Sequence, residues 1–226
     1  MTYSETIASS LKVKPSQVEA TIKLLDEGNT VPFIARYRKE MTGTLDDEQV
    51  RIIADDVTRL RAIDERRAAI LKSIDEQGKL TAELKLSIDD AETMTALEDL
   101  YAPYKPKRRT RAMVAREKGL QGLADLILDQ TNTDRAIEDV VSESYLNEQV
   151  TSIEEALQGA RDIVAETIND NANVRQGTRE KALKFARISA EKVEEVIDEK
   201  QVYESYYSFE GRVDRLQPHQ ILAINR

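Results

Sequence analysis

Residues Asp46 to Gln77 read DDEQVRIIADDVTRLRAIDERRAAILKSIDEQ, a stretch without Gly or Pro that closes at Gly78. Within it Val50, Ile53, Val57, Leu60, Ile63, Ile70 and Ile74 recur at helical spacing, which predicts one continuous amphipathic helix with Gly78 just past its C-cap. At 1.5 Å per residue such a helix runs about 48 Å. Its other faces carry Arg51, Asp55, Asp56, Arg59, Asp64, Arg66 and Arg67, a mixture of signs that reads as solvated surface with helix-local ion pairs. The stretch is a spacer or scaffold helix, expected to bridge a packed cluster on either side of it, and it sets an all-α expectation for the chain.

On the N-terminal side, Tyr3 to Leu11 and Pro15 to Glu27 are helical in pattern, with Val18, Ile22 and Leu25 on one face, Pro15 in a first turn and Gly28 as a terminator. Another short helix opens at Pro32 within Thr30 to Arg38, and Met41-Thr42-Gly43-Thr44 punctuates before the long one. On the C-terminal side, helices are expected over Ala82–Asp89 and Met94–Tyr101, the second stopped by Pro103 and Pro106, which lack the amide donor a helix needs. Thr110–Lys118, Gly122–Asp129 and Arg135–Leu146 give three more. A capping box, Thr151-Ser152-Ile153-Glu154, starts a helix with Ile153, Leu157, Ala160, Val164 and Ile168 as its apolar stripe. Val174–Ala186 and Ala190–Glu199 complete the helical run, and Val202–Val213, rich in aromatics, is the one segment that reads as β-prone. Pro218 begins a last helical pattern that breaks off at Arg226, so the chain is expected to be part of a longer protein. The expected architecture is therefore an elongated multihelical bundle around a long central helix, with at most one short β segment near the C-terminus. Its two parts are residues 1–78 and 79–226.

Composition points the same way. Eight Gly and five Pro in 226 residues are about half the usual share, too few turn residues for a sandwich or barrel. The absence of Cys excludes a disulfide framework, a thiol nucleophile and cysteine-bound metal and suits a reducing compartment, so a cytoplasmic location is expected. No run of 18 apolar residues marks a membrane span. For catalysis the inventory is thin. His219 is the single histidine, and the acid pairs Asp46-Asp47, Asp55-Asp56 and Asp89-Asp90 diverge by about 100° when helical. Neither a Gly-rich phosphate loop nor a metal spacing is present, so no catalytic residue, metal, cofactor or small-molecule substrate is expected.

Charge supplies the functional candidate. The chain carries 33 basic and 42 acidic residues, a net −9, yet Lys105, Lys107, Arg108, Arg109, Arg111, Arg116 and Lys118 face only Glu117 between positions 105 and 118. The loop Tyr104–Arg111 sets Lys105, Lys107, Arg108, Arg109 and Arg111 among prolines, with Tyr101 and Tyr104 alongside. Arginine forks grip phosphates bidentately, and a tyrosine can stack on an unpaired base. The same cations could instead pair with the chain's own acids, of which Gln121–Ala160 holds nine against one base, or meet a protein partner. The loop is expected to be the main polyanion contact, its arginines not chiefly bound to the chain's own acids. A second cluster, Arg36, Arg38 and Lys39, is expected to be internal, neutralised by Glu40, Asp46, Asp47 and Glu48. The aromatic run Tyr203, Tyr206, Tyr207 and Phe209 is expected to pack rather than to bind bases.

Three strings carry a resemblance: VPFIARYRKEMTGTLDD (Val31–Asp47), LEDLYAPYKPKRRTRAMVAREKGL (Leu97–Leu120) and YYSFEGRVDRLQPHQILAINR (Tyr206–Arg226). With them the chain resembles the Tex family of bacterial transcription accessory proteins. The resemblance implies an N-terminal all-helical region with helix-turn-helix-like elements, in a protein that continues into RNase H-like, helix-hairpin-helix and OB-fold RNA-binding domains. It also implies likeness to the core of a eukaryotic elongation factor that chaperones histones. Taken with the residues' own reading, the expected function is that of a non-enzymatic module of such a factor that positions other domains, with the basic loop, on its local charge, as the nucleic-acid contact. The alternative is a scaffold that docks on the transcription machinery without nucleic acid.

Overall fold

In a computed structural model, which describes residues 2–130, 135–194, 197 and 200–225, the deciding stretch is a single helix. Three helices precede it in close order, α1 (Tyr3–Leu11), α2 (Pro15–Asp26) and α3 (Val31–Tyr37), followed by one turn, α4 (Lys39–Thr42), and then α5 (Asp47–Glu76). The 30 residues of α5 rise about 45 Å. Asp46 caps its start, accepting from the Gln49 amide at 2.8 Å while the Gln49 side chain returns to the Asp46 amide at 3.0 Å, a reciprocal box that satisfies two orphan donors. At the other end Gly78 takes the left-handed conformation at φ 65°, which a residue with a Cβ would resist.

The first half of α5 buries Val50, Ile53 and Val57 with Ile7, Ala8, Val18, Leu24, Ile34 and Leu45, so α1, α2 and α3 share one core laid along it. Its second half buries Ile63, Ile70 and Ile74 and packs against α6 (Ala82–Asp89) and α7 (Met94–Tyr101). The apolar stripe is thus buried as its spacing predicts, with Leu60 half-buried. The polar faces are only partly the expected solvated surface. Arg51 and Arg59 pair within the helix with Asp47 and Asp56. Arg67 instead crosses to the Ile88 and Ala91 carbonyls at 3.1 and 2.8 Å, and Arg66 reaches Glu98 at 2.6 Å. Because α6 and α7 are fastened to α5 in this way, the chain divides into compact units after Tyr101, whereas the sequence reading places the division after Gly78.

The second unit begins with a 3-10 turn, Ala102–Tyr104, and the basic loop. Four helices follow, α8 (Arg111–Glu117), α9 (Gln121–Leu128), α10 (Ile137–Ser144) and α11 (Ile153–Asp170). They bury Ala112, Ala115, Leu120, Leu123, Ala124, Val141, Ala156, Ala160 and Ile163 together. The α11 cap lies one residue later than the capping box read from sequence. Ser152 accepts from the Glu155 amide at 3.2 Å, and the Glu155 carboxylate takes the Thr151 amide at 3.2 Å. Its buried stripe is accordingly Ala156, Ala160 and Ile163, while Ile168 is exposed.

After α12 (Ala172–Phe185) the chain forms β1 (Arg187–Glu191), which pairs antiparallel with β2 (Ser208–Arg212), Ser189 opposite Glu210. A last short helix is α13 (Pro218–Ile224). The strand β1 corrects the sequence reading, which confines β structure to Val202–Val213 and makes Ala190–Glu199 helical. Ala190 and Glu191 are strand, and Glu195, Val196, Asp198 and Glu199 lie outside the described residues. Among the described residues the chain is otherwise helical, 69% with the 3-10 turns included, and its α-helices number thirteen. No helix among the described residues is long and apolar enough to cross a membrane.

Candidate nucleic-acid interface

The basic loop hands directly into α8. Thr110 caps that helix, its hydroxyl accepting from the Met113 amide at 3.1 Å and donating to Glu166 Oε1 at 3.0 Å. Glu166 lies on α11 between Asp162 and Asp170, and residues four apart share a helix face, so α11 presents a ladder of three carboxylates. Lys107 bonds Asp170 and stands 3.7 Å from Glu166. Arg116 closes on Glu166 Oε2 at 2.5 Å and on Gln121 at 2.9 Å. Nearer the start of α11, Lys118 meets Glu155 at 2.7 Å. Together these bonds make an electrostatic clamp of α8 and the loop onto α11, and the Glu166 side chain is only 16% exposed within it.

Burial pushes the Glu166 carboxyl up, but hydrogen bonds from Arg116 and Thr110 and the charges of Lys107 and Arg116 more than offset it, leaving it below its ordinary value. Glu155 is also held low, by the Lys118 ammonium and then by the Thr151 amide.

The loop therefore has two sides. Lys107, expected among the polyanion contacts, is turned to the acids of α11. The acids that take it lie at 166 and 170, beyond the Gln121–Ala160 window that the local charge count singles out. On the outer side, Arg111 is 87% exposed and only 3.9 Å from Asp162, and Arg109 pairs with Glu117 at 2.6 Å while staying 69% exposed. Arg108 is exposed and makes no ion pair among the described residues, and Lys105 also lies on the exposed run. Tyr101, expected as a stacking partner, is occupied within the first unit. It is buried, its hydroxyl 3.0 Å from Ser73 and its ring 5.4 Å beneath Arg66. The C-terminal aromatics pack on each other, Tyr206 against Phe209 at 5.5 Å, with Lys192 over Tyr207 at 4.7 Å.

A groove of about 490 Å³ runs between α8 and α11, bordered by Arg109, Arg111, Lys118, Glu155, Gln158 and Asp162. Its floor depends on Gly159, where a Cβ would sit 2.5 Å from Leu120 Cδ1 and 3.2 Å from the Ala115 Cβ. Leu120 is 1% exposed and cannot swing aside. Gly159→Ala is therefore expected to destabilise the second unit by about 1–3 kcal/mol through overpacking. Thermal melting checks this, and an unchanged or raised melting temperature would mean that the helix pair relaxes freely. Among the described residues no group of His, Cys, Asp and Glu gathers as a metal site, and His219 is exposed on α13.

Fold and charge thus define a predominantly helical, two-unit protein whose cations concentrate where α8 meets α11. Family models for the Tex-like protein N-terminal domain and for the Tex central region match residues 1–75 and 131–226. The chain is 42% identical to the transcriptional accessory protein Tex of Neisseria gonorrhoeae over 226 residues, all of this chain and 30% of that protein. It is 45% identical to protein tex of Bordetella pertussis over 222 residues, 97% of this chain and 28% of that protein. A more distant relative is the human S1 RNA-binding domain-containing protein 1, at 27% over 234 residues, 98% of this chain and 23% of that protein. The chain belongs to the Tex family, and it spans less than a third of the length of these relatives.

Proposed function

We propose that this chain is a non-enzymatic helical module of a Tex-like transcription accessory factor, positioning other domains and contacting nucleic acid through the outer side of its basic loop. The observation that carries the reading is the split of the loop. Lys107, Arg116 and Lys118 are consumed by α11, whereas Arg108, Arg111 and the Glu117-paired Arg109 stay exposed beside a base that the clamp fastens. Guanidiniums presented from an ordered loop lose little conformational entropy on gripping phosphate. The RNA-binding domain in the name of the human relative and the transcriptional role in the name of the gonococcal one accord with it.

The test separates the two sides. Changing Arg108, Arg109 and Arg111 together to Ala is expected to leave the melting temperature nearly unchanged. Nucleic-acid affinity should fall, and its logarithmic salt slope should shrink by up to about 0.9 for each duplex phosphate that is no longer gripped. A triple variant that binds as the parent does would overturn the loop's role. The alternative, a scaffold docking on the transcription machinery, is favoured by exposed Leu183, Phe185 and Leu222 in the second unit. Absence of any nucleic-acid binding at low salt would select it.

A further inference from the structure

The second basic cluster does not find the acids expected for it. Asp46 is occupied as the α5 cap and Asp47 pairs with Arg51 at 3.1 Å. Glu40 and Glu48 are exposed, and neither meets a cation among the described residues. Arg36 and Lys39 are exposed and form no ion pair there, and Arg38 uses its guanidinium on a ring, 5.0 Å from the Phe33 centroid, and on the Tyr37 carbonyl at 3.1 Å. With Ile34 and Ala35 buried in the core, helical periodicity turns Phe33, Arg36 and Tyr37 to the outer face of α3. Tyr37 is 61% exposed, its ring tilted 44° against Phe33 at 5.3 Å.

A large ring held open to solvent by a second ring, flanked by cations at the positions before it and one and two after it, has the parts of a single-strand platform. Bases stack on the aromatic face while the cations track the phosphates. Duplex DNA offers no free base face to such a ring, and an acidic peptide would use the cations while leaving the ring idle. We infer that the α3–α4 surface, built from Phe33, Arg36, Tyr37, Arg38 and Lys39, binds single-stranded nucleic acid. The site belongs to the unit that ends at Tyr101 and does not depend on the basic loop.

The experiment uses the 226-residue chain with Arg108, Arg109 and Arg111 changed to Ala, so that the loop no longer contributes, and follows anisotropy of a labelled oligouridylate. A length of about ten nucleotides lies within known single-strand site sizes. Residual binding is expected, reduced about tenfold by Tyr37→Ala and retained by Tyr37→Phe, because the ring and not the hydroxyl stacks. Arg36→Ala and Lys39→Ala should each flatten the logarithmic salt slope by up to about 0.7. Both are exposed, so they decide the matter if Tyr37→Ala melts early. Loss of all binding in the loop-neutralised chain overturns the inference, as does indifference to Tyr37→Ala or equal loss with Tyr37→Phe. Preference for an oligoglutamate peptide over the oligouridylate would make the surface a protein-docking face and overturn it too. Failure of the loop reading shows separately, as unchanged affinity on neutralising the loop alone.

Discussion

Arg59→Pro is expected to unfold the unit that ends at Tyr101. Arg59 lies mid-way along α5 on its exposed side, so the change touches no core side chain and acts through the backbone. Proline removes the amide donor and drives its ring into the carbonyl one turn earlier, at a cost of about 3 kcal/mol or more. Against a total stability of about 5–15 kcal/mol that is a large share, and the damage is not local. Ile53 and Val57 on one side of the break and Ile63 and Ile70 on the other are buried by different partners, so a kink misaligns one set or the other. Hydrogen exchange of the amides between Ile53 and Ile70 should rise steeply and the melting temperature should fall. Arg59→Ala is the control. It loses only the exposed pair with Asp56, about 0–1 kcal/mol. Equal behaviour of the two variants would mean that α5 is not a continuous strut.

Removing the Glu166 carboxylate is the second large effect. It holds Arg116 and Thr110 by hydrogen bonds and faces Lys107, so Glu166→Ala leaves the Arg116 guanidinium with Gln121 alone and the Thr110 hydroxyl without its acceptor, while Lys107 keeps Asp170. A charged hydrogen bond contributes about 1.5–3 kcal/mol, and breaking a fully buried pair costs about 3–5 kcal/mol. For a group at this partial burial a destabilisation of about 2–3 kcal/mol is expected. The carboxyl sits below its ordinary value of 4.5 in the folded chain. Its contribution is therefore present above that pH and lost as the pH falls through the lower, folded value. The gap in melting temperature between parent and Glu166→Gln should narrow on acidification below about pH 4.5. A gap constant down to strongly acidic pH would assign the clamp to shape rather than charge. Because the change takes the carboxylate from Arg116 and leaves the exposed arginines of the loop untouched, polyanion affinity should not fall with stability.

What the sequence reveals follows the range of the interactions. The limits of α5 are local, a cap at Asp46 and a left-handed glycine at Gly78, and its stripe is a property of the helix alone, so all of them are legible. The α11 cap is also local, yet Thr151 and Ser152 are adjacent hydroxyls each followed three residues later by Glu, and only the backbone decides between them. β1 is hidden for a different reason. Its sequence RISAE offers just Ile188 and Ala190 on the covered face, and its stability comes from pairing with residues about twenty positions away. The partners of Lys107 lie farther still, at Glu166 and Asp170, beyond any local charge count. The exposed cations of α3 and α4 are the converse case: carboxylates stand nearby in sequence and the fold directs them elsewhere.

The layout of the first unit has a consequence in time. A nascent chain leaves the ribosome N-terminus first, so α1, α2 and α3 emerge before the helix that covers Ile7, Val18, Leu24 and Ile34. At about 5–20 residues per second, roughly 2–7 s separate the synthesis of Leu24 from that of Val57. Until then those apolar faces have only each other, and helices this short are marginal in water. Arrival of Val50, Ile53 and Val57 closes all three at once. The long helix is thus also a clock, and the residues before it remain uncommitted until translation has passed its midpoint.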